Sequence, residues 1–172
     1  MTFARALTTV ISALLVLTSC GRADDNILHS EKSLYQNIYV LQENGLRCLT
    51  FHPSMSRDRQ TCVELDDPKH LVFSYTRMML GALAIKPDPE RILIIGLGGG
   101  TLPMALRDIL PDTYIDAVEI DPAVVAVAGE YFGYEEDARL QTHTMDGRVF
   151  VKTALMEGKQ YDLVMLDAFD EE

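Results

Sequence analysis

The sequence contains no tryptophan, only three cysteines and few basic residues: 15 lysines and arginines stand against 26 aspartates and glutamates. The resulting net charge of −11 repels phosphate backbones, which argues against nucleic acid as a partner. Internal repeats and low-complexity stretches are absent as well. With 48% apolar and 24% charged residues, the 172-residue chain has the composition of one globular domain and not of a disordered or fibrous protein.

The acidic excess lies entirely in the last part of the chain. From Asp112 to Glu172 there are 15 acidic and 4 basic residues, whereas the first 111 residues hold 11 of each. Two interpretations stay open: a solvated acidic face, or a site that attracts a cationic substrate.

The N-terminus resembles the leader of a bacterial lipoprotein. Arg5 precedes the apolar run Val10 to Leu17, which is too short to span a bilayer and is typical of a secretory signal. The run leads into Leu-Thr-Ser-Cys, similar to the lipobox whose cysteine, here Cys20, becomes the lipidated first residue. We therefore expect a signal peptide over 1–19, a polar tether over 20–32, and an exported protein held to a bacterial membrane by lipid alone, facing the periplasm. The alternatives are an uncleaved anchor and a wrongly assigned start codon, which would make the protein cytoplasmic.

Two cysteines remain if Cys20 carries lipid. Cys48 and Cys62 both lie in strand-like runs, and an oxidising compartment would let them pair. Two small buried thiols are the alternative, and we expect these two cysteines to be reduced.

The first structured region is predicted to be a small antiparallel unit within residues 33–70. Residues 35–41 alternate apolar and polar, Asn44-Gly45 supplies a turn, and residues 46–51 resume the strand pattern, which predicts a β-hairpin. A third short strand is expected over 60–65. An apolar helix over 71–85 follows and is ended by prolines.

From Arg91 onward the pattern changes to alternating strands and helices. Predicted strands cover 91–95, 114–120, 139–145 and 161–166, and predicted helices cover 101–110, 122–132 and 147–157. This (βα)₃β pattern predicts an α/β fold for residues 71–172, a doubly wound parallel sheet with strand order 3-2-1-4. Because the chain stops after a strand, we expect the C-terminal part of the sheet to be missing and the chain to be a fragment of a longer protein.

A glycine loop connects the first predicted parallel strand to its helix. Gly96, Gly98 and Gly100 permit a tight turn and a close approach of backbone to ligand at a helix N-terminus. The phosphate-binding fingerprint is not met, because Thr101 stands where its third glycine belongs. The spacing favours a nucleoside without a pyrophosphate, such as a sulfonium adenosyl ligand.

Carboxylates end the next three strands of the predicted sheet. Glu119 could accept hydrogen bonds from two ribose hydroxyls, or could be a helix N-terminal charge. Asp146, before Gly147, could accept from an adenine amino group, or could be a plain N-cap. Asp167 and Asp170 could face one cleft, or lie in a solvated turn. All these residues share one sheet edge, which predicts a single site.

At this point the sequence resembles the polyamine aminopropyltransferases, the spermidine and spermine synthase family, over about residues 33–172. The motifs that carry the resemblance are Ser33-Leu34-Tyr35-Gln36, Asp66 through Tyr75, Ile94 through Leu102, Val118-Glu119-Ile120-Asp121, Asp146-Gly147 and Asp167-Ala168-Phe169-Asp170. The resemblance implies a fold like that of class I adenosylmethionine-dependent methyltransferases. It also implies transfer of an aminopropyl group from a sulfonium to the primary amine of a diamine such as putrescine.

Site roles follow from the resemblance. Gln36, Glu119 and Asp146-Gly147 would hold decarboxylated S-adenosylmethionine, with no metal. Tyr75 and Asp170 would hold the cationic amine, and Asp167 would accept its proton. This makes chemical sense, since an ammonium cannot attack until it loses a proton.

Three departures and the leader keep other functions open, because adenosylmethionine and its decarboxylated form are cytoplasmic metabolites. Asp170 is followed by Glu171-Glu172 and not by the proline usual in the family. The glycine loop has Gly98 where the family usually carries an aspartate, and Arg77 stands in place of a glutamate after the tyrosine, which would favour a carboxylate-bearing ligand if it faced the site. The alternatives are an S-adenosylmethionine-dependent methyltransferase-like enzyme and an exported, non-catalytic nucleoside-binding homologue. A homodimer is also kept open.

Overall fold

The computed structural model describes residues 26–168, which form two four-stranded sheets with helices between and around the second. The antiparallel sheet has the order β1-β2-β3-β4 and consists of Ile27–Lys32 (β1), Asn37–Glu43 (β2), Leu46–Thr50 (β3) and Arg59–Glu64 (β4). The predicted hairpin is confirmed: β2 pairs with β3 across a turn in which Asn44 and Gly45 both have positive φ, at 52° and 80°.

The tether predicted over 20–32 is wrong for its last residues, which form β1. The strand is largely exposed and carries few apolar side chains, so its composition is that of a linker. It is an edge strand whose backbone pairs with β2 from Ile27 to Lys32, and the His29 ring lies 5.4 Å from that of Tyr131. Backbone pairing of this kind leaves little trace in the sequence.

The predicted helix over 71–85 starts later than expected. Ser74–Met79 (α1) is helical and continues as a 3₁₀ helix over Leu80–Ala84, whereas Phe73 is extended. The Arg77 guanidinium donates to the carbonyl oxygens of Leu71 and Val72, so these carbonyls bond a side chain instead of helical N–H groups.

The expectation that Cys48 and Cys62 are reduced is wrong. They form a disulfide with the sulfur atoms 1.99 Å apart. The reason is the register of β3 and β4, which places the two residues directly opposite each other with Cα atoms 4.1 Å apart.

The parallel sheet confirms the predicted α/β architecture and strand order. Its elements are Arg91–Ile95 (β5), Thr101–Ile109 (α2), Tyr114–Glu119 (β6), Pro122–Phe132 (α3), Leu140–Thr144 (β7), Gly147–Met156 (α4) and Leu163–Leu166 (β8), with strands in the order β7-β6-β5-β8. All three pairings are parallel. Boundary residues explain the match: Asp121 caps α3, Pro122 opens it, and Gly133 ends it with φ at +69°.

Three apolar clusters hold these layers together. Ile92 and Ile94 pack with α2 and α3 on one face of the parallel sheet, and Leu93 packs with Phe150 of α4 on the other. The third cluster joins the antiparallel sheet to α3 and comprises Ile38, Val40, Leu49, Val63, Val124, Val127 and Phe132. It fixes the antiparallel sheet beside the carboxyl ends of β5 and β6. Within residues 26–168, no helix has the length and apolar character needed to cross a membrane.

Candidate active site

A cavity of about 950 Å³ opens at the carboxyl ends of the parallel strands. The N-terminal part contributes the turn before β2, the end of β3, the start of β4 and α1. The parallel unit contributes the glycine loop, the ends of β6 and β8, and one side of α4. Of the residues predicted for the site, the structure brings eight together here: Gln36, Tyr75, Gly96, Gly98, Glu119, Asp146, Gly147 and Asp167. Gly100 is not in the cavity wall. It precedes α2, beneath the ring of Tyr134.

Gly96 lies where the ends of β5 and β8 meet. Its φ is +99°, and a Cβ atom there would stand 2.3 Å from the carbonyl oxygen of Asp167. Only glycine fits this crossing. The Asp167 N–H donates to the carbonyl of Ile95 at 2.8 Å, so the same crossing places Asp167 beside the glycine loop.

Most backbone N–H groups of the glycine loop donate hydrogen bonds to other groups of the protein. Gly96 donates to the Val118 carbonyl, Leu97 to the Glu119 carboxylate, Gly99 to the Thr61 hydroxyl and Gly100 to the Leu97 carbonyl. A phosphate cradle needs such groups to point at the ligand. The loop is therefore not arranged as a phosphate cradle, in agreement with the missing phosphate fingerprint.

Glu119 bonds the backbone at the start of α3 and also faces the cavity. Its Oε2 accepts from Leu97 N–H and its Oε1 from Asp121 N–H, each at 3.0 Å, so the carboxylate ties β6 to the glycine loop and to the start of α3. The residue also lines the cavity. Burial raises the pKa of Glu119, and three backbone N–H donors, those of Asp121, Leu97 and Ile120, oppose that rise. A carboxylate has about four acceptor positions, so these bonds leave capacity for one further donor.

Asp146 is an N-cap, as one of its two interpretations predicted. Its Oδ1 accepts from the N–H groups of Arg148 and Val149, and its Oδ2 lies 2.7 Å from the Arg148 guanidinium. These donors lower the pKa of Asp146 to about 2. Beside it, a Cβ on Gly147 would stand 2.8 Å from the Ile95 side chain, so this position keeps the start of α4 close to β5.

The turn Ser33 to Gln36 is attached to the start of α3. The Ser33 hydroxyl donates to Asp121 Oδ2 at 2.5 Å and accepts from the N–H groups of Tyr35 and Gln36. Tyr35 and Gln36 line the cavity as a result. This contact gives a structural reason for the Ser-Leu-Tyr-Gln motif.

Tyr75 and Asp167 form a hydrogen-bonded pair in the cavity wall. Burial is the main reason that the pKa of Asp167 rises to about 6, and the bond from Tyr75 opposes this rise. Burial and the neighbouring Asp167 charge raise the pKa of Tyr75 to about 12. At neutral pH the tyrosine is therefore protonated and donates the hydrogen bond, and the aspartate is a carboxylate close to its titration range, which suits it to accept a proton.

Not every predicted residue lies in the cavity, and two charged residues that line it were not predicted. Cys20 and Asp170 lie outside the described residues. Arg77 does not line the cavity. Sequence reasoning missed Arg148 and Lys152, which both line the cavity, although their i, i+4 spacing on α4 places them on one side of that helix.

Two further contributors come from the antiparallel sheet, and the sequence carries no signal for them. Gln60 lines the cavity, and Thr61 bonds the glycine loop from outside it. Both depend on how β4 packs on the parallel unit. Among residues 26–168, no group of three or more His, Cys, Asp or Glu side chains is arranged to hold a metal ion.

Comparison with known proteins identifies the family. Residues 72–172 match the family model described as the spermine/spermidine synthase domain. The chain belongs to this family. A polyamine aminopropyltransferase of Vibrio vulnificus is 44% identical over 165 residues, which are 95% of this chain and 54% of that protein. The chain thus spans about half the length of the curated polyamine aminopropyltransferases that it matches.

Solved structures share the fold of this spermidine synthase-like chain. A spermidine synthase in complex with the transition-state analogue AdoDATO superposes with a TM-score of 0.63 at 22% identity, covering 85% of this chain and 47% of that one. Human methyltransferase-like protein 13 in complex with SAH superposes with a TM-score of 0.54 at 32% identity, covering 58% of this chain and 49% of that one.

Proposed function

We propose that the protein is a polyamine aminopropyltransferase that moves an aminopropyl group from decarboxylated S-adenosylmethionine to a diamine such as putrescine. The observation that carries the proposal is the Tyr75–Asp167 pair, which lies in the same cavity as Glu119, Asp146 and the glycine loop. A proton acceptor and a nucleoside surface thus share one space. Membership of the spermine/spermidine synthase family supports the same reaction.

The donor is assigned to the glycine-loop side of the cavity. Glu119 accepts the ribose hydroxyls, Gln36 contacts the donor from the turn before β2, and Asp146-Gly147 borders the adenine. Two observations support a nucleoside without phosphate: the loop N–H groups bond the protein, and the two solved relatives hold SAH and AdoDATO.

The acceptor amine lies at the Asp167 end beside Tyr75, and Asp170 is the second residue assigned to hold the cation. Asp167 takes a proton from the ammonium, and the freed nitrogen lone pair attacks the propyl carbon bonded to the sulfonium. The carbon–sulfur bond breaks and its electron pair returns to sulfur, leaving neutral methylthioadenosine and a protonated secondary amine. Asp167 then releases its proton to solvent. Because the sulfonium is already a good leaving group, the residues contribute mainly proton acceptance and alignment.

A methyltransferase-like reaction is the second candidate. The observation in its favour is that Gly96 to Gly100 offer no carboxylate to the ammonium of an aminopropyl donor. The resemblance to methyltransferase-like protein 13 fits the same fold. A non-catalytic nucleoside-binding homologue is the third outcome that the assay below separates.

Product mass tests the proposed reaction in the protein that carries this chain. With decarboxylated S-adenosylmethionine and putrescine we expect spermidine and methylthioadenosine. Asp167→Asn should lower the rate by a factor of about 10²–10⁴ while leaving adenosyl binding close to normal, because only the proton acceptor is lost. Asp108→Asn, at an exposed carboxylate paired with Lys69, is the matched control and should keep full activity. Methyl transfer without spermidine would favour the second candidate, and nucleoside binding without any product would favour the third.

Export and lipid attachment at Cys20 form a separate part of the proposal. The Cys48–Cys62 disulfide supports it, because such bonds persist in oxidising compartments such as the periplasm. We expect mass spectrometry of the membrane fraction to find a lipidated Cys20 at the N-terminus. A soluble cytoplasmic form that begins at Met1 would contradict export. Light scattering on the purified protein decides between monomer and homodimer.

A further inference from the structure

Thr61 connects the two sheets at the glycine loop. It lies in β4 with 5% of its surface exposed, and its Oγ1 accepts from the Gly99 N–H at 2.8 Å. This buried bond joins residues 38 positions apart. It links the antiparallel sheet directly to the backbone that forms the nucleoside wall.

Both the hydroxyl group and the methyl group of Thr61 lie against the glycine loop. A Cβ atom on Gly98 would stand 2.5 Å from Thr61 Oγ1, and one on Gly99 would stand 2.7 Å from its Cγ2. Thr61 therefore fills the space in which a side chain at position 98 or 99 would have to lie. It determines where the loop backbone runs and keeps the loop free of side chains at these positions.

The position of the loop matters at the cavity. Gly98 lines the cavity, and Leu97, one residue before it, donates its N–H to Glu119. A shift of Gly99 moves Gly98 and disturbs the Leu97–Glu119 bond. Because the Gly99 N–H is buried, losing the Thr61 hydroxyl would leave it unpaired and would favour such a shift.

We infer that Thr61 is a positioning residue for the nucleoside site, acting through Gly99 without touching the ligand. The inference rests on the proposed function for the identity of the ligand. The contact itself does not depend on that function. The antiparallel sheet is thus a part of the binding site and not only a neighbouring unit.

Three variants separate positioning from stability. Thr61→Val keeps the shape and removes the hydroxyl, whereas Thr61→Ser keeps the hydroxyl. Thr113→Val is the matched control, because the Thr113 hydroxyl is also buried and donates to the Pro89 carbonyl at 2.7 Å, at the other end of β6. Calorimetry with methylthioadenosine should show at least tenfold weaker binding for Thr61→Val, and a change below threefold for Thr61→Ser and Thr113→Val. Equal affinity in Thr61→Val and wild type, or equal losses in Thr61→Val and Thr113→Val, would overturn the inference.

A second measurement works without any ligand. Amide hydrogen exchange of Gly99 in the free protein should be at least tenfold faster in Thr61→Val than in wild type, with protection restored in Thr61→Ser. Unchanged protection in Thr61→Val would overturn the role of Thr61. Failure of the wild type to bind methylthioadenosine would instead count against the proposed function, and the exchange result would still decide on Thr61.

Discussion

At Glu119 a single carboxylate holds the fold and faces the site. Backbone N–H groups bond both of its oxygens, and burial has raised the pKa of the group. A ribose would find this carboxylate already oriented, so little side-chain entropy would be lost on binding. Of the two interpretations offered by the sequence, the structure shows the charge beside the start of α3, and the ligand contact stays a prediction.

If Asp167 is the proton acceptor proposed above, it should set the pH dependence of turnover. Its pKa is raised to about 6, and a proton acceptor must be ionised, so kcat/KM should rise with pH up to about 6 and level off above it. The Tyr75 hydrogen bond favours the ionised form and lowers this pKa. Tyr75→Phe should therefore move the acidic limb to higher pH, besides any loss of rate.

The control for this prediction is Tyr161→Phe. Tyr161 donates to Asp116, outside the cavity, at 2.8 Å, and its removal should leave the limb in place. The test is to compare the acidic limb in pH–rate profiles of the wild type, Tyr75→Phe and Tyr161→Phe. An unmoved limb in Tyr75→Phe would mean that another group titrates.

Among the elements, β3 and β4 carry a covalent link whose removal should be measurable. The disulfide closes a loop between residues 14 positions apart, and a loop of this size stabilises a protein by about 3 kcal/mol. Reductant should therefore lower the free energy of unfolding of the wild type by about that amount in denaturant titrations. The double variant Cys48→Ala, Cys62→Ala should show no response to reductant. A wild-type unfolding midpoint that does not change with reductant would mean that the disulfide is absent in solution.

The elements also show what sequence patterns can and cannot predict. The central strands β5 and β6 were predictable because both of their faces are buried, so β5 is a continuous apolar run. Helix α3 was predictable because Asp121, Pro122 and Gly133 mark its limits. Strand β1 was not predictable from the sequence, since an edge strand depends on backbone pairing with a partner strand. The pairing of Cys48 with Cys62 depends on strand register, which the alternating pattern alone left open.

The same distinction holds at the site. Residues at the carboxyl ends of parallel strands, such as Glu119 and Asp167, were predictable because the topology brings those ends together. Gln60 and Thr61 come from a separate sheet. Their place depends on how that sheet packs against α3, which is a tertiary contact with no local pattern.

For the whole molecule, the cluster between the antiparallel sheet and α3 predicts a single cooperative unit. Ile38 is fully buried in this cluster, so Ile38→Ala should cost about 2–5 kcal/mol. If both sheets unfold together, amide protection in β2 and in β6 should fall by the same free energy, as measured by native-state hydrogen exchange. Loss of protection in β2 alone would mean that the antiparallel sheet opens independently. The Thr61 contact could then break without global unfolding, and nucleoside affinity would depend on how often the antiparallel sheet is docked.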